Sequence, residues 1–374
     1  MTYRRLLTWL ATDESMGELA PSLRAKLIAL CRLHDNEATY KLNPLIGLEY
    51  HHGPDKAMDV SFKGGIEMLQ LQPLKRNFNH QRLSDFLHQQ SVLGIADIDN
   101  IWVEYDHTPK GYTIAALFQR FCPSPEADNH AKELIDGYLA AVSGQRSLGH
   151  ESSRCLTVLC ELFGMPDYLG FLLRSNDNCV KFVCQIDGQM QGALVQLLSD
   201  YFPAIVNSDG LQVENIASSI NAYASRATAK ISIDINLSCD IFLPRFCLEI
   251  YPPRDSPVGH RARVDEAGCT EVIRLLEHLR MPQTLKTSLI SLMGQYPSGK
   301  KRLERLWSTN QEYLYSSYYH AKACLMPGRK SLKSYIMHEY FDQEHLPLRR
   351  TEAPTTEVSS GHFGEKGWSD FSGA

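Results

Sequence analysis

The sequence predicts an α+β fold in which α-α-β-β units repeat and close an antiparallel barrel of about ten strands, with helices outside. Three observations carry this. Short strand-like segments come in pairs joined by turn residues. Helical stripes lie between the pairs. The strands alternate apolar and polar residues, whereas parallel βαβ strands are buried on both faces and read as continuous apolar runs.

The first pair is "LIGLEYHH" (45–52) with "AMDVSFKG" (57–64), joined by "GPDK". The second is "NIWVEYDH" (100–107) with "GYTIAALFQRF" (111–121), joined by "TPK". The third is "YLGFLLRS" (168–175) with "CVKFVCQID" (179–187), joined by "NDN". The fourth is "KISIDINLS" (230–238) with "RFCLEIY" (245–251). A fifth begins at "SSYYHAKACLMPG" (316–328), for which "KSYIMHEYF" (333–341) is a candidate partner.

Helices fit between the pairs. "SPEADNHAKELIDGYLAAVS" opens with Ser124 as a cap and Pro125 at the first helical position, and Leu134, Tyr138, Leu139 and Val142 form its stripe. "CLTVLCELFG" follows as a second helix. "DGQMQGALVQLLSDYF" has Leu194, Leu197 and Leu198 on one face and Asp187 as a cap. "EAGCTEVIRLLEHLRMP" groups Val272, Leu275, Leu276 and Leu279 and stops before Pro282. "QTLKTSLISLMG" carries Leu285, Leu289 and Leu292, with Gly294 at the expected C-terminal cap.

Helices over the apolar face leave the polar face needing water or a ligand. A sheet of about ten strands tends to curl or close, because open edges invite unwanted pairing. The alternative is two α+β halves, each an open sheet with one solvated face. Residues 1–345 read as a single domain, and 346–374 as a polar tail rich in Gly, Ser and Thr.

The 374 residues carry a net charge of -5, which excludes a general basic attraction to nucleic acid or anionic membrane. The ten cysteines are scattered, mostly in apolar segments, and form no C-x-x-C pair, so they read as small buried hydrophobes in a reducing compartment. Asp13 and Glu14 interrupt the N-terminal apolar run too early for a signal peptide. No stretch approaches the 18 or so apolar residues of a membrane span. A cytoplasmic protein is the expectation.

Familiar catalytic strings are spoiled. "GQYPSGKK" (294–301) matches a P-loop until Lys301 replaces the Ser or Thr, and it follows a helix, so it reads as a helix terminus and basic turn. "HEYFDQEH" has Asp342 where a zinc-binding second histidine belongs. There is no G-x-S-x-G, no G-x-G-x-x-G and no aspartate-rich diphosphate motif. His51 and His52 are adjacent on a strand and therefore face opposite ways, so no metal site is expected from them.

The polar faces remain. Alternation places Gly47, Glu49 and His51 together, then Asp59, Ser61 and Lys63, then Trp102, Glu104 and Asp106. Arg174, Lys181 and Gln185 follow, then Ser232, Asp234 and Asn236, then Arg245, Cys247, Glu249 and Tyr251, and finally His320 and Lys322. On an open sheet these are a solvated face. Inside a barrel, the cations can hold a diphosphate by charge-assisted hydrogen bonds, tyrosines can shield a carbocation, and a carboxylate can take a proton.

This pattern resembles the ABBA, or PT-barrel, prenyltransferases. The resemblance implies a ten-stranded barrel of α-α-β-β units that moves an isoprenoid from its diphosphate to an aromatic or peptide acceptor. It gives Glu49 the acceptor-facing role and makes Lys63 the first diphosphate cation. Lys181, Arg245 and Lys322 match later cations, and Tyr251 matches a shield. Val183 stands where a tyrosine is often found, and Cys247 where a second base is common. The implied donor is dimethylallyl or geranyl diphosphate, with no required cofactor and magnesium optional; neither nucleic acid nor membrane is an expected partner. Two other functions fit the same faces. One is a natural-product cyclase or isomerase using Glu49, Glu104 or Asp106 as acid and base. The other is a non-catalytic peptide- or partner-binding protein.

Overall fold

The computed structural model describes residues 25, 30, 45–53, 58–70, 79–122, 125–128, 130–143, 148–173, 179–208, 210–226, 228–238, 242, 244–253, 266–295, 299–302 and 312–342. The tail from 346, the N-terminal apolar run, residues 54–56 of the "GPDK" turn, the "NDN" turn, Ser124 and Arg174 lie outside the described residues.

The strands are β1 (Leu45–His52), β2 (Met58–Gly64), β3 (Ala96–Thr108), β4 (Gly111–Phe121), β5 (Tyr168–Leu172), β6 (Cys179–Gln185), β7 (Lys230–Ser238), β8 (Phe246–Tyr251), β9 (Gly299–Arg302), β10 (Glu312–Met326) and β11 (Arg329–Asp342). Each expected strand pair is present. The fifth is completed by β11, which pairs with β10 from Glu312↔Asp342 to Met326↔Arg329.

Neighbours run β1 through β8 in order, then β10 and β11, and β11 returns antiparallel to β1 from Leu45↔Glu339 to His52↔Leu332. Ten strands therefore form a closed ring with no edge, and the two-open-halves alternative does not hold. β9 lies outside the ring. β10 is 15 residues long. Its later part, Ala321–Leu325, pairs with β8. Its first part, Tyr313–Ser316, pairs with β9. Residues 299–302 are thus a strand rather than the turn expected there, because the overhang of β10 offers free backbone partners.

Helices separate the hairpins. They include α1 (His80–Val92), α2 (Pro125–Asp128), α3 (Ala131–Ser143), α4 (His150–Phe163), α5 (Gln191–Tyr201), α6 (Pro203–Ser208), α7 (Val213–Ala224), α8 (Glu266–His278) and α9 (Gln283–Gln295). The expected stripes are buried: Tyr138, Leu139 and Val142 on α3, Leu194, Leu197 and Leu198 on α5, and Val272, Leu275 and Leu276 on α8. They cover the outward strand residues, such as Ile46, Leu48, Val60, Phe62, Phe182, Ile233 and Leu248, each at 0% exposure. The core is the layer between barrel and helices.

Local ends differ from expectation. The helix expected from 124 breaks into α2 and α3, and Asp128 accepts the Met165 N–H at 2.7 Å. Asp187 accepts the Gln189 N–H at 2.8 Å and ends a turn, so α5 starts later, with Met190 at its cap. α9 runs one residue past Gly294. The sequence reading did not single out α1 or α7. Asn79 starts α1 by accepting the Arg82 N–H at 3.1 Å. Among the described residues no helix is long and apolar enough to cross a membrane.

Candidate functional site in the barrel lumen

Ten strands enclose more space than their inward side chains fill. A cavity of about 120 Å³ remains, many times what one water needs. Its wall includes Lys63, Trp102, Glu104, Tyr251 and Lys322, five of the residues expected to form the site. Gln185, Ser232, Glu249 and His320, also assigned to the polar faces, line it as well. Period-2 alternation on each strand had already put these side chains on one face, and closure turns that face inward.

Glu49, Asp106, Lys181 and Arg245 lie in the same polar network without lining this cavity. Lys181 is buried, sits over the Phe118 ring at 5.1 Å, and is 3.8 Å from Asp234. The ring can lie there because β5 has Gly170 beside it; a Cβ at Gly170 would stand 2.5 Å from Phe118 Cε1. Asp106 gathers with Asp59 and Glu104. Arg245 turns to sulfur: its Nε donates to Cys247 Sγ at 3.2 Å and its Nη2 to Cys324 Sγ at 3.4 Å.

Several contributors were missed, among them Lys333, Tyr335 and Tyr319. Lys333 and Tyr335 fall on β11, where the "KSYIMHEYF" alternation carried the signal but no face was assigned. Tyr319 was hidden by a β-bulge between Tyr318 and His320. The bulge inserts one residue, so Tyr318 packs outward at 1% exposure while Tyr319 and His320 both reach the cavity. His320 then stacks on Tyr335 at 4.0 Å and lies 4.6 Å from Tyr251, which meets Tyr319 edge-on at 5.2 Å. The wall on this side is aromatic.

Charge is arranged as paired opposites. Lys322 and Lys333 stand directly across β10 and β11 from each other. Facing like charges repel, and each leans to its own carboxylates. Lys322 Nζ donates to Asp234 Oδ2 and, at 3.1 Å, to Glu249 Oε1. Lys333 Nζ donates to Glu49 Oε1 and is 4.0 Å from Asp59 Oδ2. Burial alone would raise the carboxyl pKa of both Glu49 and Asp234. The lysines outweigh it and hold each well below the usual carboxylate range. Glu104 goes the other way: burial and the neighbouring Glu49 charge raise it. Two nearby carboxyls with separated pKa values are the arrangement needed for distinct acid and base roles.

Among the described residues, two groups offer ligand atoms to a metal: Glu49, His51 and Asp59, and Asp59, Glu104 and Asp106, each with atoms within 4.8 Å of one another. The first is already tied together, because His51 Nε2 bonds Asp59 at 2.7 Å and Glu49 at 3.1 Å.

His51 and His52 do face opposite ways. His52 packs outward, with Nδ1 bonded to Ser288 Oγ at 2.8 Å and Nε2 to Ser334 Oγ at 2.7 Å. Burial, and then the His51 charge, lowers its pKa to about 4. Burial also opposes charge on His51, but the bonds to Asp59 and Glu49 raise it to about 9. The stabilisation from His51 is complete below its unfolded pKa of about 6.5 and is lost as pH rises through about 9. That from His52 is complete above about 6.5 and is lost as pH falls through about 4. Each contribution is on the order of 3 kcal/mol. Denaturant midpoints measured from pH 4 to 9 should peak near 6.5, and His51→Gln should flatten the alkaline limb. An alkaline limb unchanged in that variant would contradict the pairing.

A ten-stranded antiparallel barrel ringed by helices, with its polar strand faces turned into a lumen, is the PT-barrel fold of the ABBA prenyltransferases. Solved structures with that fold align along most of the chain. 5-Dimethylallyltryptophan synthase from Streptomyces coelicolor superposes with a TM-score of 0.50 at 13% identity, over 88% of this chain and 95% of that one. The prenyltransferase NotF, in complex with brevianamide F and DMSPP, gives 0.52 at 12% identity, over 92% and 94%. The apo prenyltransferase PriB gives 0.50 at 12% identity, over 89% and 94%. No protein-family model and no curated protein matches the chain.

Proposed function

We propose that the lumen binds an allylic isoprenoid diphosphate and transfers the isoprenoid to an aromatic or peptide acceptor. The observation that carries this reading is the facing pair Lys322 and Lys333 beside an aromatic-walled cavity. A diphosphate there would compete with Asp234, Glu249 and Glu49 for the two ammonium groups, and charge-assisted hydrogen bonds to it are the strong kind. Lys63, Lys181 and Arg245 supply further positive charge around the lumen. Tyr251, Tyr319 and Tyr335 can offer ring faces to a carbocation, and Trp102 can do so from β3. Glu49 or Glu104 accepts the proton that an attacking acceptor releases. Stabilising the leaving diphosphate supplies most of the acceleration. Magnesium is optional in this reading: Asp59, Glu104 and Asp106 offer it oxygen ligands, and the lysines provide positive charge without it. The similar structures named in complex with DMASPP and Trp, or with brevianamide F and DMSPP, support the substrate classes.

The test is thermal stability with geranyl diphosphate. Saturation a hundredfold above Kd stabilises by about 2.7 kcal/mol, so melting should rise clearly. Lys181→Ala and Arg245→Ala should each shrink the rise. Unchanged melting at millimolar diphosphate would remove the reading, and an undiminished rise in both variants would move the binding place elsewhere.

One observation favours a second reading. The separated pKa values of Glu49 and Glu104 suit an acid/base cyclase or isomerase on the same lumen. That enzyme would need no diphosphate, so the same melting experiment separates the two.

A further inference from the structure

We propose that Cys247 and Cys324 form a reversible disulfide across β8 and β10 when the protein meets hydrogen peroxide. The two residues are direct register partners on antiparallel strands. Facing Cα atoms in such a ladder are about 4.5–5.5 Å apart, inside the range a disulfide spans. Their sulfurs lie 2.7 Å apart, so an S–S bond of about 2.05 Å needs only a small approach. Both side chains are buried, at 1% and 0% exposure, and they are 77 residues apart in the chain. Chance proximity in a loop does not account for a buried, register-matched pair.

Arg245 differentiates the two sulfurs. Cys247 S–H donates to Cys324 Sγ, and the guanidinium donates to both. The Cys247 hydrogen bond, then Arg245 and Lys322, hold the Cys324 thiol well below its usual range against burial; Cys247 is pushed up by burial and by its neighbour. Cys324 is thus the thiolate and Cys247 the thiol, the division an attacking and a resolving cysteine need. Cys324 attacks a peroxide oxygen, the O–O bond breaks, and the leaving hydroxide takes the Cys247 proton to become water. The sulfenic acid left on Cys324 is then attacked by the Cys247 sulfur, the S–S bond forms, and hydroxide leaves. Two electrons pass from the sulfurs to one peroxide, and the products are the disulfide, one water and one hydroxide. Oxidation also removes the thiolate that Arg245 holds and leaves its charge to Asp234, already a neighbour.

The 374-residue chain is treated with hydrogen peroxide, unfolded, alkylated with iodoacetamide and digested for mass spectrometry. The expected result is a peptide joining Cys247 to Cys324, two hydrogens lighter than the reduced pair and lost after dithiothreitol. In Cys247→Ala, Arg245 and Lys322 still favour the Cys324 thiolate, which should instead be trapped by dimedone as the sulfenic acid. Two results overturn the proposal in the wild-type protein, where folding of a variant is not at issue. One is recovery of both residues alkylated after peroxide. The other is Cys324 oxidised to sulfinic acid without any bridged peptide.

Discussion

Lys322→Met is expected to lower the unfolding free energy by about 3–5 kcal/mol, the usual cost of removing one partner from a buried ion pair. Lys322 is 3% exposed and Asp234 1% exposed, so neither charge has water to fall back on. Without the ammonium, Asp234 keeps Lys181 at 3.8 Å, and Glu249 keeps the Tyr251 hydroxyl at 3.0 Å. Both are weaker substitutes for a direct ionic hydrogen bond. In the wild type, Lys322 and Lys181 overcome burial and hold the Asp234 carboxyl down. That contribution is present above the ordinary aspartate pKa of about 3.9 and is lost as pH falls through the depressed value. The deficit of the variant should therefore narrow as acid protonates Asp234. Adding Asp234→Asn should return much of the loss, because a neutral pair leaves fewer buried charges uncompensated. Guanidinium unfolding at neutral pH measures all three proteins. A loss under about 1 kcal/mol for Lys322→Met, in the range of an exposed pair, would mean that the lysine is solvated rather than buried in the lumen.

The second large effect concerns chemistry. Glu104→Gln should reduce turnover by about 10²- to 10⁴-fold, the range for losing a positioned proton acceptor. Gln keeps the shape and a hydrogen-bonding oxygen, so the melting increase with geranyl diphosphate should survive. In the wild type, burial and then Glu49 keep the Glu104 carboxyl above the ordinary glutamate range, while Lys181 and Lys333 pull it partly back. Only the carboxylate accepts a proton, so the rate should climb with pH through a titration above that range. The climb should vanish in the variant. Turnover within tenfold of wild type would transfer the role to Glu49, whose depressed pKa makes it a weaker base but a permanent charge.

Strand identity and strand face were legible in the chain because both are local. Ile231, Ile233 and Ile235 against Ser232, Asp234 and Asn236 specify two faces whatever the strand pairs with. Helix stripes such as Leu194, Leu197 and Leu198 were readable for the same reason. The misreadings came where tertiary contact overrides local pattern. Gly299–Arg302 looks like a turn until the free length of β10 lies beside it. Tyr319 escapes a period-2 count because a bulge adds one residue to β10. Lys333 sits on a segment offered only as a candidate partner for the fifth unit, and its pairing with β1 joins segments far apart in the chain.

Residue order alone determined which side chains share a face, and therefore that acids, bases and aromatics would travel together around the sheet. Only the tertiary structure decided that β11 meets β1, that Lys322 would face Lys333, and that Cys247 would lie against Cys324. The physical reason is range. Alternation is set by the backbone within a few residues, whereas closure depends on many weak contacts between distant segments at once. A polar face open to water and the same face sealed around a cavity have one sequence pattern; the closed ring turns screened charges into a buried network.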